Sequence, residues 1–358
     1  MCRMEKLYKR MKELEIPAFF SAETSNIRYL SGFTGEEAYF LMAGNKPYMI
    51  ADNRLVDAIA EECPGMQIAR WRNPYPPLTK VIEELLAREN ITTLGVETHR
   101  ISYKLFKMLE NGLPSVEIKP ISSVVEPLRF IKEPGEIENI RRAASFADKA
   151  FQEVLNFIRP GVTEREIACE LEYALAKAGS QGTGFPTIIA SGHHAAMPHA
   201  TPSERKIQKG DCIVMDFGGR HNLYPSDMTR TVVVGKASEE QKKLYETVRR
   251  AQLAGLKTVR AGAPARAAHL EATRVIIEGG YKESCFTHGV GHGVGLEIHE
   301  APSMNAASEA ILKKNNVVTV EPGIYVPGQG GVRIEDTLAV TEGEPEILTL
   351  SSKELIEL

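Results

Sequence analysis

Alternating strand-like and helical patterns predict two domains along the chain. The first 126 residues open with an amphipathic helix and continue as short apolar runs, such as PAFF and PYMIA, separated by Gly, Asn and Pro. Helical stretches near 54–62 and 78–89 alternate with these runs, which predicts a small α/β domain. Pro127 and Pro134 then interrupt the patterned regions. We therefore predict one domain over 1–126 and a second over 127–358.

The second region predicts four helices with strands between them. An apolar stripe predicts a long helix over 136–158, and Thr163 with Glu166 forms a capping box for the next helix. Ser238 opens a third helix in the same way, and a fourth is predicted over 264–278. The intervening segments DCIVMDFGG, DMTRTVVVG, NNVVTVEPGIYV and GGVRIEDTLAVT are rich in β-forming residues. This mixture predicts an α+β layered architecture.

Composition and charge exclude several classes of protein. The 358 residues are 43% hydrophobic and 25% charged, as in globular proteins, and 43 Lys and Arg against 47 Asp and Glu leave a formal charge of −4. Without a basic block we expect no nucleic-acid partner. We expect no membrane span and no secretory signal, because no apolar run is long enough. The five cysteines are scattered, which predicts free thiols and a cytoplasmic location.

Four carboxylates stand in strand-like segments, where acidic residues are depleted. Asp216 and Glu321 each share a strand face with apolar or small residues, and an unpaired carboxylate there costs several kcal/mol. Any one of the four taken alone could equally face solvent. The pattern occurs twice, however: Asp216 precedes Asp227 by 11 residues, and Glu321 precedes Glu335 by 14. Two facing hairpins would bring the four together, and that density of charge requires cations.

A glycine-rich segment, HGVGHGVGLEIHE, supplies three of the nine histidines. It lacks the third glycine of a dinucleotide-binding fingerprint and the Gly-Lys-Ser/Thr of a P-loop, and the zincin pattern H-E-x-x-H is absent. A polar turn is the simpler interpretation of such a segment taken alone. Four carboxylates with one imidazole instead suggest a dinuclear, oxygen-rich site for Mn²⁺ or Co²⁺, without excluding Zn²⁺ or Fe²⁺.

The segments MDFGGRHNLYPSDMTRT, HGVGHGVGLEIHE, TVEPGIYV and GGVRIED together resemble the pita-bread metallopeptidases of the prolidase and aminopeptidase P group. The resemblance runs from about Arg129 to the end, and the first third is similar to the N-terminal domain of those enzymes. It implies a pita-bread catalytic domain behind a smaller α/β domain. It also implies a homodimer. Leu223 departs from the pattern, since a glycine often precedes the tyrosine, and this affects the turn rather than the ligands.

The resemblance also implies a role for each site residue. Five side chains would bind two divalent ions, with Mn²⁺ preferred: Asp216 on one ion, His292 and Glu321 on the other, and Asp227 and Glu335 bridging both. Glu321 would also accept a proton from the attacking water. His199 and His299 would bind the substrate and stabilise the oxyanion. His288 would line the site beside the leaving proline, and Arg333 would orient Glu335.

The implied reaction is hydrolysis of the peptide bond before proline in a short peptide. A prolidase-type dipeptidase is the leading hypothesis, and an aminopeptidase P acting on longer peptides is the near alternative. A creatinase-like hydrolase of other C–N bonds and a non-catalytic peptide-binding relative remain open. Both of these predict little bound metal, because such relatives lack the full ligand set.

Overall fold

The computed structural model describes residues 2–358, which form two compact units. One unit runs to Arg129 and the other begins at Phe130. The division lies a few residues after the predicted boundary, within the segment that carries Pro127 and Pro134.

A mixed six-stranded sheet with helices forms the N-terminal unit. Its strand order is β4-β3-β2-β1-β5-β6, and only β2 runs antiparallel to its neighbours. The elements are α1 (Arg3–Glu13), β1 (Ala18–Ser21), α2 (Thr24–Ser31), β2 (Tyr39–Ala43), β3 (Lys46–Ala51), α3 (Val56–Glu62), β4 (Gln67–Arg70), α4 (Leu78–Arg88), β5 (Thr93–Glu97), α5 (Tyr103–Gly112), β6 (Glu117–Ile121) and α6 (Glu126–Arg129).

The apolar runs of this unit are its central strands. Every residue of β1 is buried, which matches a strand covered on both faces. Leu7 and Met11 are the buried residues of α1, and both belong to the predicted amphipathic stripe. The predicted small α/β domain is therefore confirmed.

Four long helices and two larger sheets form the C-terminal unit. The strand orders are β19-β11-β8-β7 in one sheet and β13-β12-β14-β17-β18 in the other. The elements are α7 (Pro134–Val154), α8 (Glu164–Ala178), β7 (Ile188–Ser191), β8 (Cys212–Phe217), β9 (Arg220–His221), β10 (Tyr224–Pro225), β11 (Met228–Val233), α9 (Glu239–Leu256), α10 (Arg266–Glu278), β12 (Gly291–Gly293), β13 (Glu300–Met304), β14 (Val317–Val320), β15 (Gly323–Val326), β16 (Gly330–Arg333), β17 (Asp336–Ala339), β18 (Glu346–Ile347) and β19 (Ile356–Glu357).

Local capping signals placed the starts of these helices correctly. Thr163 and Ser238 cap α8 and α9 through the predicted capping boxes. The predicted end of α7 is wrong, because the helix stops at Val154 rather than near residue 158. The side-chain amide of Asn156 donates to the carbonyls of Gln152 and Glu153, and such bonds compete with a further helical turn.

Both predicted hairpins are confirmed, and each is built of two short ladders in one register. β8 and β11 are antiparallel, with Asp216 opposite Thr229. In the second hairpin β14 pairs with β17 and β15 with β16, with Val320 opposite Asp336 and Gly323 opposite Arg333. Pro322 has no N–H to continue the β14 ladder, so the chain leaves that sheet after Glu321. Glu335 therefore lies in the junction between β16 and β17 rather than within a strand.

No helix among residues 2–358 has both the length and the apolar character that crossing a bilayer requires.

Candidate metal centre

A cavity of about 630 Å³ in the C-terminal unit collects all the predicted site residues. Apolar side chains such as Phe185, Ile188 and Ile298 form part of its wall. The size and mixed lining suit a small organic ligand held by a few polar groups. The predicted site residues that line it are His199, Asp216, Asp227, His288, His292, His299, Glu321, Arg333 and Glu335.

Strand ends position the four carboxylates. Asp216 is the fifth residue of β8, and Asp227 directly precedes β11, its hairpin partner. Glu321 directly follows β14, and its N–H donates to the carbonyl of Val290 at 2.7 Å. The N–H of Glu335 donates to the carbonyl of Thr229 at 3.1 Å, which ties the two sheets together at the site.

His292 reaches the carboxylates because glycines flank it in β12. A Cβ on Gly291 would lie 2.1 Å from the carbonyl oxygen of Thr319, so only glycine permits this approach. The Nδ1 of His292 lies 3.0 Å from the carbonyl oxygen of Gly293, to which it donates. Its Nε2 is thereby left as the lone-pair nitrogen, 3.5 Å from Asp227 Oδ2 and 3.4 Å from Glu321 Oε1.

The donor atoms fit a divalent metal. Ligand atoms of Asp227, His292 and Glu335 lie within 4.8 Å of one another. Asp216 Oδ1 and Glu335 Oε1 are buried and accept no hydrogen bond from residues 2–358. Buried carboxylate oxygens normally have partners, and hard divalent cations bind oxygen ligands of this kind. The orphaned oxygens therefore point to a cation as their missing partner.

Burial and mutual repulsion shift the carboxylates toward their protonated forms when no metal is present. Burial, with Asp216 and Glu321 nearby, raises the pKa of Asp227 well above its usual value. Burial and the neighbouring Asp227 do the same to the pKa of Glu335. Burial raises the pKa of Glu321 to about 8. Bound divalent cations remove this repulsion by neutralising the anionic forms.

These shifts predict that the metal-free protein loses stability as pH rises. A carboxyl with a raised folded-state pKa binds more protons when folded, so its contribution is present below the unfolded pKa and is lost as pH rises through the folded one. For Glu321 that window runs from about 4.5 to about 8. Thermal unfolding of chelator-treated protein should show a falling melting temperature across this window. Metal-loaded protein is the control and should show no such fall. The same dependence of melting temperature on pH with and without metal would contradict the prediction that these carboxylates share a metal site.

His288 and His292 are partly buried, and their lowered pKa values favour the neutral imidazole at physiological pH. Burial, and then the neighbouring His299, lowers the pKa of His292 to about 4, which keeps its Nε2 available as a ligand. Burial, and then Arg333, lowers the pKa of His288 to about 4. Both ring nitrogens of His288 already have partners, the carbonyl of Gly289 at 2.7 Å and the hydroxyl of Tyr325 at 2.8 Å.

Arg333 contacts Asp216 directly rather than Glu335. Its guanidinium donates to Asp216 Oδ2 at 2.5 Å, and its Nε donates to Thr229 Oγ1 at 3.0 Å. The Thr229 hydroxyl in turn donates to Glu335 Oε2 at 2.7 Å. The hydrogen-bond path from Arg333 to Glu335 therefore runs through Thr229, and the orienting role of Arg333 stays a prediction.

Sequence reasoning missed Thr229 and Tyr325. The Tyr325 hydroxyl accepts from Arg333 at 2.9 Å and links that guanidinium to His288. Thr229 lies in DMTRTVVVG on the strand face of Asp227, so pleat parity could have indicated it. Arg333 is a neighbour of Tyr325 in the β15–β16 ladder, but no local signal indicates the bond of Tyr325 to His288, which is 37 residues away in the chain.

The remaining predicted histidines, His199 and His299, line the cavity from two different segments. The His299 ring centroid is 4.3 Å from that of His292. His199 lies in the segment between β7 and β8, close to Pro198, whose carbonyl accepts from Arg333 at 3.3 Å. His193 and His194 lie in the 3₁₀ turn over Gly192–Ala196 and are not among the described residues that line the cavity.

Family comparisons cover nearly the whole chain. Residues 138–342 match Metallopeptidase family M24, and residues 3–131 match the Creatinase/Prolidase N-terminal domain. A protein of Pyrococcus furiosus named Xaa-Pro dipeptidase is 38% identical over 354 residues, which cover 99% of each chain.

Solved structures show the same architecture. An Xaa-Pro dipeptidase from Bacillus anthracis superimposes with a TM-score of 0.95 at 38% identity, covering 99% of both chains. An X-Pro aminopeptidase from Thermotoga maritima gives 0.91 at 34% identity, covering 98% of this chain and all of the other. These matches confirm the predicted pita-bread catalytic fold with a smaller N-terminal α/β domain.

Proposed function

This chain belongs to Metallopeptidase family M24, and from that premise we propose that it hydrolyses the peptide bond before proline as an Xaa-Pro dipeptidase. Family membership makes divalent metal ions part of its chemistry. Relatives named Xaa-Pro dipeptidase match it over its whole length. The observation that carries the proposal is the convergence of five separate ligand candidates in one cavity.

Two metal ions, preferably Mn²⁺, form the proposed centre. Asp216 would hold one ion and His292 and Glu321 the other, and Asp227 and Glu335 would be shared between them. Such a pair, when bound, polarises the scissile carbonyl and lowers the pKa of a water molecule. The charges match, because four carboxylates compensate two divalent ions.

The surrounding residues position the substrate and move its protons. Glu321 accepts a proton from the attacking water, and His199 and His299 donate to the carbonyl oxygen as negative charge develops on it. His288, with both nitrogens occupied, presents its ring to the leaving proline rather than a hydrogen bond. The bond before proline has no N–H, so a site that acts on the carbonyl suits it. We further propose a cytoplasmic homodimer.

Turnover of defined peptides tests the proposal. Mn²⁺-loaded protein should cleave Leu-Pro faster than the matched Leu-Ala, and chelation should abolish this activity. Re-addition of Mn²⁺, Co²⁺ or Zn²⁺ in separate samples identifies the preferred ion. Absence of turnover on every Xaa-Pro substrate, with metal demonstrably bound, would contradict the proposed function.

An Xaa-Pro aminopeptidase is the second candidate, and the hydrogen bonds that already occupy the guanidinium of Arg333 favour it. Among the described residues that line the cavity, Arg333 is the one Lys or Arg side chain. Its guanidinium is already committed to Asp216, Thr229 and Tyr325. The free carboxylate of a dipeptide would need a cation there, whereas a longer peptide continues as a neutral amide. The ratio of kcat/KM for Leu-Pro and Leu-Pro-Ala separates the two candidates.

A further inference from the structure

Glu164 is a fully buried carboxylate at the start of α8 that the metal site does not use. Burying a charged carboxylate costs several kcal/mol unless hydrogen bonds compensate for the lost water. The compensation here comes from one chain segment, residues 191–203. This segment leaves β7, makes a short 3₁₀ turn over Gly192–Ala196 and continues along the cavity.

Each oxygen of Glu164 holds one end of that segment. Oε1 accepts from the N–H of Ser191 at 2.8 Å and from its hydroxyl at 2.6 Å. Oε2 accepts from the N–H of Ser203 at 3.1 Å and from its hydroxyl at 2.6 Å. His194 Nδ1 lies 3.1 Å from the same oxygen. One rigid carboxylate thus closes the segment into a loop, with Ser191 and Ser203 at its base.

The part of the segment between these two serines forms a wall of the cavity. Pro198, His199 and Ala200 all line it. The loop is held on its other side as well. Arg333 donates to the carbonyl of Pro198, and Gly331 lies so close that a Cβ there would be 2.2 Å from the carbonyl oxygen of Ala195. The position of the loop base therefore decides where the His199 side chain stands relative to the carboxylates.

We propose that Glu164 is a positioning residue for His199, acting by clamping both ends of the 191–203 loop. This inference rests on the proposed function, because His199 contacts the substrate there. Positioning groups behind a metal site commonly contribute tenfold to a hundredfold in activity. Glu164→Gln keeps the shape of the side chain but replaces one acceptor oxygen with an NH₂ group. We expect kcat/KM on an Xaa-Pro peptide to fall by about tenfold or more.

A double-mutant cycle separates positioning from general destabilisation. If Glu164 acts through His199, then Glu164→Gln should lower kcat/KM by less than about twofold once His199→Ala is present. Equal factors in the two backgrounds would overturn the proposal. Ser203→Ala removes one donor and serves as a milder variant if Glu164→Gln does not fold. It should show a several-fold effect that disappears in the same background.

Glu166→Gln is the matched control. Glu166 lies in the same first turn of α8 but bonds only to Thr163 of its own capping box, and Gln also serves in that box. We expect this variant to keep wild-type kcat/KM. An equal fall in both variants would overturn the inference.

Hydrogen exchange tests the clamp without any substrate. Backbone amides of residues 192–202 should exchange faster in the Glu164→Gln protein than in wild type or Glu166→Gln. Unchanged exchange would overturn the inference. If wild-type protein cleaves no Xaa-Pro peptide, the proposed function fails on that result alone, and faster exchange would still support the clamp.

Discussion

Asp227→Asn is expected to lower kcat on an Xaa-Pro peptide by at least about a hundredfold, which is about 2.7 kcal/mol in the barrier. Asp227 is proposed to bridge both ions, so its loss weakens both sites at once. An amide retains the shape but offers one neutral oxygen in place of a carboxylate. The Asp227 carboxylate also lies 3.5 Å from His292 Nε2, so the change alters the ligand set around the imidazole.

The same substitution should have opposite effects on stability with and without metal. In metal-free protein it removes one of four mutually repelling carboxyl groups, and burial already holds the pKa of Asp227 well above its usual value. The free energy of unfolding should therefore rise, or stay constant, near neutral pH. In metal-loaded protein it should fall, because a ligand is lost.

Urea unfolding of both forms and steady-state kinetics check these expectations, with bound metal measured in each sample. Asp57→Asn, at an exposed position of α3, is the matched control and should change neither quantity. Activity of Asp227→Asn within tenfold of wild type, about 1.4 kcal/mol in the barrier, would contradict a bridging role.

Arg333→Met is expected to destabilise the protein by about 3–5 kcal/mol and to remove most activity. Arg333 is almost fully buried and pairs with Asp216 at 2.5 Å. Removing the cation leaves that carboxylate buried beside three others. The change also frees Thr229 Oγ1 and the carbonyl of Pro198 from the guanidinium.

The stability loss should be larger without metal, since the ions are then not present to neutralise Asp216. This is the reverse of Asp227→Asn, so the two variants measured side by side distinguish loss of a cation from loss of an anion. Arg165→Met is the control: Arg165 forms an exposed pair with Glu204, and such pairs contribute about 0–1 kcal/mol. A loss below about 1 kcal/mol for Arg333→Met would contradict the buried pairing.

Local signals account for the parts of the fold that were predicted well. The Thr163 and Ser238 capping boxes are closed by residues three positions away, so sequence alone places α8 and α9. The β8–β11 hairpin is likewise a contact between neighbours in the chain. The second hairpin joins neighbouring segments in the same way, with β15 and β16 continuing the register of β14 and β17. The break between its two ladders was not predicted, because register alone does not show where a hairpin leaves its sheet.

The sequence by itself determined which groups stand at the candidate centre. Carboxylates on apolar strand faces need a cation nearby, and the glycines beside a histidine allow it to approach them closely. Both features can be recognised from the order of residues alone. The tertiary structure decided what holds these groups. Thr229 and Glu164 act through partners from distant segments, and Tyr325 joins its hairpin neighbour Arg333 to the distant His288. Hydrogen bonds require heavy atoms within about 3 Å, and only the packed fold sets such distances between residues far apart in the chain.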